Sequence, residues 1–186
     1  PILDHCRAQA ALGRRGVKAI LLYPMNALAS DQARRIAKEI LGRPELAGIR
    51  AGLYVGDAAD EEADAVKQLA DGSYSVITQR AEIRKRPPDI LLTNYKMLDF
   101  LLIRADDARL WADNRPDTLR YLVVDELHTF DGAQGTDLAC LIRRVKARLE
   151  TPPGQLVCVG TSATLGDDGE RSLLDFAGDV FGEKVD

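Results

Sequence analysis

Five short apolar runs set the tightest limit on what this chain can fold into: KAILLY at 18–23, IRAGLYVG at 49–56, DILLTNY at 89–95, YLVVDEL at 121–127 and QLVCVGTSA at 155–163. Several are apolar throughout rather than alternating. A strand with no polar face must be covered on both sides, which favours a parallel sheet between two helical layers. The intervening segments supply helices. NALASDQARRIAKEIL (26–41) sets Leu28, Ile36 and Ile40 on one side and charges on the other, and closes at Gly42 and Pro44. GTDLACLIRRVKARLE (135–150) turns Leu138, Leu141, Ile142, Val145 and Leu149 inward before Pro152-Pro153-Gly154 stops it. Alternating strands and helices predict an α/β fold, an open and mostly parallel sheet with helices on both faces. With 186 residues, 46% of them hydrophobic, one core and one domain over 1–186 are expected. Residues 57–88, acidic in DAADEEADAVKQLADGSYSV and basic in TQRAEIRKRPP, read as a surface excursion from it.

Composition removes several function classes. A formal charge of −4 gives no bulk field for nucleic acid, so binding of that kind must rest on local patches. Cys6, Cys140 and Cys158 lie far apart, without a C-x-x-C pair and with only 2 histidines in the chain, which supports neither a structural zinc nor a disulfide framework. Reduced thiols point to the cytoplasm. No apolar run approaches the ~20 residues of a membrane span, and PILDHCRAQA lacks the regions of a signal peptide. No membrane partner is expected.

In an open parallel sheet, ligands bind beyond the carboxyl ends of the strands, and four of the five ends here are chemically unusual. After YLVV come Asp125, Glu126 and His128. Desolvating unpaired carboxylates is costly, so a pair at the end of an apolar strand suggests a tip opening into a polar, metal-containing cleft. Asp125 can hold a magnesium ion and Glu126 can orient or deprotonate a water, the two roles phosphoryl transfer needs. The plainer alternative is that they begin a loop or cap the next helix. After VCVG, Thr161, Ser162 and Thr164 offer hydroxyls that can bond those carboxylates or His128, or else form a Ser/Thr turn closed by Gly166. After LLY, Pro24, Asn26, Ser30 and Gln32 stand at a helix start suited to phosphate, although Ser30 and Asp31 can equally be local caps. After DILL come Thr93 and Asn94, with Lys96 close by. Tyr95 can stack on a base or belong to the core, and Arg80, Arg84, Lys85 and Arg86 form a basic patch that also reads as a solvated face.

The ordered set is more specific than any member. YPMNALASDQ resembles motif Ia of superfamily 2 helicases of the DEAD/DEAH-box type. YVGD resembles the next nucleic-acid loop, LLTNYKML motif Ib, VVDELH motif II and GTSATLG motif III. The likeness runs from about Lys18 to Gly166 and is nearest to the large bacterial members of the MrfA-like branch. It implies the first RecA-like domain of a P-loop NTPase type motor that uses ATP and Mg2+ to move on nucleic acid, DNA ahead of RNA. By this resemblance Asp125 holds Mg2+ through water and Glu126 positions the attacking water. His128, Ser162 and Thr164 couple nucleotide state to a track over Pro24, Asn26, Gly56, Asp57, Thr93, Asn94 and Lys96.

Two departures bear on this. Residue 127 is Leu where the box name has Ala, an apolar exchange that leaves the polar members in place. No G-x-x-x-x-G-K-[ST] is present: in GRRGVKA (13–19) only two residues separate Gly13 from Gly16, and Val17 intervenes before Lys18. The resemblance therefore implies a domain truncated at its N-terminus, lacking its first strand and phosphate loop, inactive alone and partnered by a second RecA-like domain of the same parent chain. A RecA-like binding module without turnover, or a different P-loop-type hydrolase, stands as the rival reading.

Overall fold

The computed structural model describes residues 1–56, 66–70, 72, 74–162 and 169–182. All five apolar runs form strands: β1 (Ala19–Leu22), β2 (Ala51–Tyr54), β5 (Ile90–Thr93), β6 (Tyr121–Val124) and β7 (Val157–Gly160). They make one sheet in the order β2-β5-β1-β6-β7, and every neighbouring pair is parallel. The chain is α/β, as the non-alternating runs require. Register aligns Tyr54, Thr93, Leu22, Val124 and Gly160 in a single row across the sheet, so all five strands release their loops along one edge.

Helices α1 (Ile2–Ala11), α2 (Asn26–Leu41), α4 (Tyr95–Ile103), α5 (Gly132–Arg148) and α6 (Gly169–Phe181) cover the two faces. Side chains alternate along each strand, and this divides the core. Ile20, Leu22, Leu91, Leu122 and Val124 pack in one cluster with Leu98 and Leu101 of α4, Leu138, Leu141, Ile142 and Val145 of α5, and Val180 of α6. Ala19, Leu21, Ile90, Leu92 and Leu53 pack in the other with Cys6 of α1 and with Ala29, Ala33, Ala37 and Ile40 of α2. The buried stripe of α2 is thus mainly alanine, while Leu28 and Ile36 are only half-buried at its flank. Small side chains four residues apart let the helix lie close on the sheet, a preference that hydrophobic size alone conceals.

Among the described residues of the segment 57–88, several are buried rather than at the surface. Residues 57–65 lie outside the described set, and β3 (Lys67–Gln68) pairs with β4 (Tyr74–Ser75) as an exposed-to-buried antiparallel ribbon. The chain then re-enters the core. Ile77 bridges Gly52 at the β2 edge, and Val76, Ile77 and Ile83 are buried, the last on the short helix α3 (Arg80–Lys85). A Cβ on Gly52 would stand 2.8 Å from Pro88 Cγ, so the return path needs a glycine there. Low apolar content hid this re-entry because three side chains accomplish it.

At the opposite, amino end of the sheet, Lys18 is 1% exposed and its Nζ bonds Asp89 Oδ1 at 2.7 Å and Gly16 O at 3.0 Å. The lysine of GRRGVKA is therefore a structural ion at the pole remote from the strand tips. No helix among the described residues is long and apolar enough to cross a membrane.

Burial makes this core sensitive to alkali. The Cys6 thiol is pushed from 9.0 up to about 12 by burial and then by the nearby Asp89 charge, against Lys18. The Tyr23 phenol rises from 10.0 to about 12 through burial and then Asp125, against Arg35. Both bind their protons more tightly folded than unfolded, so the stability they contribute is complete below their ordinary values and is lost as pH rises through about 12. Denaturant titrations should show stability falling steadily above about pH 9, with a shallower fall in Cys6→Ala. A flat profile to pH 11 would contradict the burial of both groups.

Candidate functional site

The aligned strand ends assemble the site. Backbone bonds continue the ladder just past the strands: Asp125 N donates to Leu22 O at 2.9 Å, and Thr161 N donates to Val124 O at 3.0 Å. This carries the ends of β6 and β7 forward together. The Thr161 hydroxyl then donates to Asp125 Oδ1, and Thr161 Oγ1 in turn accepts from Glu126 N at 3.2 Å, while Thr161 O accepts from Leu127 N at 2.8 Å. The residue that follows β7 thus fixes three consecutive residues after β6.

Glu126 has φ 52° and ψ 47°, the left-handed region that non-glycine residues adopt only when held there. The hold is visible. Beyond the bond from Thr161, Thr129 Oγ1 donates to Glu126 O at 2.8 Å, and Leu127 is buried as an anchor. A Cβ on Gly160 would meet Leu127 Cδ2 at 2.7 Å, so glycine at the end of β7 is what lets this anchor cross. Leu127, where the box name has alanine, therefore has a defined seat. The turn leaves the Glu126 carboxylate half-exposed, with Oε2 3.3 Å from His128 Nδ1, and that nitrogen lies 3.0 Å from Ser162 Oγ. The structure brings Asp125, Glu126, His128 and Ser162 together. Thr164 lies outside the described residues. Thr161 was one hydroxyl among three in the sequence, and only the structure makes it the direct partner of Asp125.

Among the described residues no three or more His, Cys, Asp or Glu side chains converge to cage a metal. Magnesium does not need a cage: it takes one or two carboxylates and completes its shell with phosphate oxygens and water. Thr161 engages one oxygen of Asp125, and the hard carboxylate donor fits that ion.

The other three strand ends form a second group. Asn94 caps α4, its Oδ1 accepting from Met97 N at 2.8 Å, and its Nδ2 donates to Asn26 Oδ1 at 2.8 Å. This ties the loop after β5 to the loop after β1, where Pro24 is half-buried and Asn26 is the first residue of α2. Ser30 donates back to Asn26 O at 3.0 Å within the helix rather than capping it, and α2 has no side-chain cap. Thr93 departs from the expectation of a side chain facing a ligand: it is fully buried, and its hydroxyl donates to Tyr54 O at 2.6 Å. The physical reason is its place as the last ladder residue of a central strand, where an unpaired hydroxyl would be costly. Lys96 and Gly56 are exposed, and Asp57 lies outside the described residues. Tyr95 packs edge-on against Phe130 at 5.6 Å, a core contact rather than a free stacking face.

The family model described as DEAD/DEAH box helicase matches residues 1–172. The chain is 30% identical over 251 aligned positions to the Druantia protein DruE of Escherichia coli, covering 88% of this chain and 14% of that protein. It spans only 14% to 20% of the length of the curated relatives it matches. Among solved structures, the crystal structure of the DUF1998 helicase MrfA superposes with a TM-score of 0.64 at 25% identity, over 96% of this chain and 24% of that one. The Mycobacterium smegmatis helicase Lhr bound to ssDNA and AMP-PNP superposes with a TM-score of 0.62 at 22% identity, over 88% of this chain and 18% of that one, and shows the same fold.

Proposed function

Because the chain belongs to the DEAD/DEAH box helicase family, we propose that it supplies motifs Ia to III of the first RecA-like motor domain of an ATP-dependent helicase or translocase. The observation that carries this reading is the latch between two strand ends. Asp125 is held by Thr161, and His128 reaches Ser162 and Glu126 together. Such a latch lets a change at the nucleotide side be felt along β7 and β6 at once. Asp125 would hold Mg2+, which supplies charge neutralisation on the β- and γ-phosphates when bound. Glu126, kept exposed by its left-handed backbone, orients the attacking water.

The nucleic-acid track runs over the three remaining loops. The uncapped start of α2 offers free N–H groups to a phosphate, Lys96 adds an exposed cation, and the Asn26–Asn94 bond keeps the two loops at fixed spacing. Contacts of this kind follow the backbone and carry little sequence preference. Thr93 acts from beneath, by holding the carbonyl at the end of β2. A phosphate-cradling loop and a second RecA-like domain must come from outside these 186 residues. Val159 of the edge strand β7 is 40% exposed, and this edge is where a strand bearing such a loop would pair. Cys6 and Cys140 are free thiols, which fits a cytoplasmic setting.

The test is Mg-ATP hydrolysis by the complete protein, with and without single-stranded nucleic acid. Stimulation of ten-fold or more is expected, greater by ssDNA than by ssRNA, on the order of one or two phosphate-directed hydrogen bonds made only in the productive complex. Turnover indifferent to both polymers would favour a hydrolase acting on something else, and binding without turnover would favour the inert module.

A further inference from the structure

The basic segment before β5 is occupied in a way its composition does not suggest. One guanidinium nitrogen of Arg80 donates to two consecutive carbonyls past the end of β2, Val55 O at 3.2 Å and Gly56 O at 3.0 Å. The same guanidinium lies 5.3 Å from the centroid of the Tyr54 ring. Tyr54 is itself fixed. Its hydroxyl donates to Asp107 Oδ1 at 2.8 Å, Arg84 Nε donates to that same oxygen at 2.6 Å, and Arg84 also donates to the Tyr54 oxygen at 3.1 Å. Asp107 is fully buried, and burial together with its hydrogen bond pushes the Tyr54 phenol up, so the ring stays neutral under Arg80.

A trans peptide points its C=O and N–H in opposite directions. Holding the Val55 carbonyl toward Arg80 therefore turns the Gly56 N–H away from it, and that N–H has no hydrogen-bond partner among the described residues. Gly56 is exposed, and no atom of the described residues stands within 4 Å of where its Cβ would be. A glycine with an outward donor and open space above it admits a phosphodiester oxygen at close range.

Building on the helicase reading, we infer that Arg80 is a positioning residue: it clamps the end of β2 so that the Gly56 N–H is aimed at a backbone phosphate of single-stranded nucleic acid. Its charge is taken up by two carbonyls and a tyrosine face and contributes nothing to counterion release. The Tyr54–Asp107–Arg84 cluster is the base on which the clamp rests.

The experiment compares wild type, Arg80→Ala and Arg80→Lys in the complete protein, with a single-stranded DNA oligonucleotide as probe across a salt series. Arg80→Ala should weaken binding by about 10-fold, as expected when one hydrogen bond to a charged oxygen is misaligned. The slope of log affinity against log salt should not change. Arg80→Lys should not restore affinity, because a compact ammonium lacks the planar guanidinium that rests on the Tyr54 ring while one of its nitrogens reaches both carbonyls. Backbone hydrogen exchange at residues 53–56, read without any ligand, should speed up in Arg80→Ala. A slope shallower by about 0.7, with full rescue by lysine, would make Arg80 a direct phosphate contact and overturn the positioning role. Unchanged affinity, or unchanged exchange at residues 53–56, would overturn it as well. A wild type binding neither ssDNA nor ssRNA would overturn the phosphate role together with the helicase reading. The ligand-free exchange experiment distinguishes that outcome from failure of the clamp.

Discussion

Under the proposed motor role, replacing Glu126 by Gln in the complete protein should lower nucleic-acid-stimulated ATP hydrolysis by about 10²- to 10⁴-fold, the range associated with losing one positioned general acid or base. Nucleotide binding should be retained. Glutamine keeps the length and shape of the side chain and can still sit 3.3 Å from His128 Nδ1, so the turn held by Thr161 and Thr129 has no reason to move. What disappears is the negative charge that orients a water and stabilises the proton leaving it. The loss should therefore fall on kcat, with the KM for ATP changing by only a few-fold. Single-turnover and steady-state rates, taken with an equilibrium nucleotide-binding measurement, separate these quantities. Near wild-type turnover in Glu126→Gln would remove Glu126 from the reaction, and the left-handed backbone that exposes it would lose its explanation.

The second large effect is on stability and lies at the other pole of the sheet. Lys18→Ala should destabilise the chain by about 3–5 kcal/mol, because it leaves the largely buried Asp89 carboxylate without its ion partner. For a chain of this size that lowers the thermal midpoint by about 10 °C. Asp89 is joined to the sheet at several points: Oδ2 accepts from Arg50 N at 2.8 Å, its backbone N donates to Arg50 O at 2.9 Å, and its carbonyl accepts from Lys18 N at 2.8 Å. Its charge is thus pinned where β1, β2 and β5 begin. Lys18→Met combined with Asp89→Asn should recover much of the loss, since no net charge stays buried and the asparagine oxygen can still accept from Arg50 N. Equal midpoints for wild type and Lys18→Ala would show that water reaches this pair and replaces the lysine. Activity should change far less than stability, because Lys18 is remote from the strand tips. The opposite outcome would be expected if GRRGVKA were a phosphate loop.

These two residues also mark what could be read from the sequence. Asp125 and Glu126 were legible because an apolar strand ending in two carboxylates is expensive unless the tip opens on a polar site, and that cost is local to the residues involved. Lys18 was legible only in the negative, as a lysine spaced wrongly for a phosphate loop. Its ion partner Asp89 lies 71 positions away and is brought to it by strand pairing alone. Thr93 shows the same limit: its position at a strand end can be read locally, but whether its hydroxyl faces a ligand or the Tyr54 carbonyl depends on a neighbouring strand 39 positions earlier. The basic segment at 80–86 looked like a solvated face because charge density is a property of composition. Arg80 and Arg84 instead serve carbonyls and a buried aspartate that the fold brings to them.

The sequence by itself determined the five strands, the two covering layers and the order of the strand-end motifs, because hydrophobic periodicity and turn chemistry act between residues a few positions apart. Tertiary structure alone decided which hydroxyl latches Asp125, which asparagines hold the two loops together, and which arginine clamps the end of β2. Each of those choices is a hydrogen bond between segments tens of residues apart. Such a bond forms only after parallel pairing has laid Tyr54, Thr93, Leu22, Val124 and Gly160 in one row.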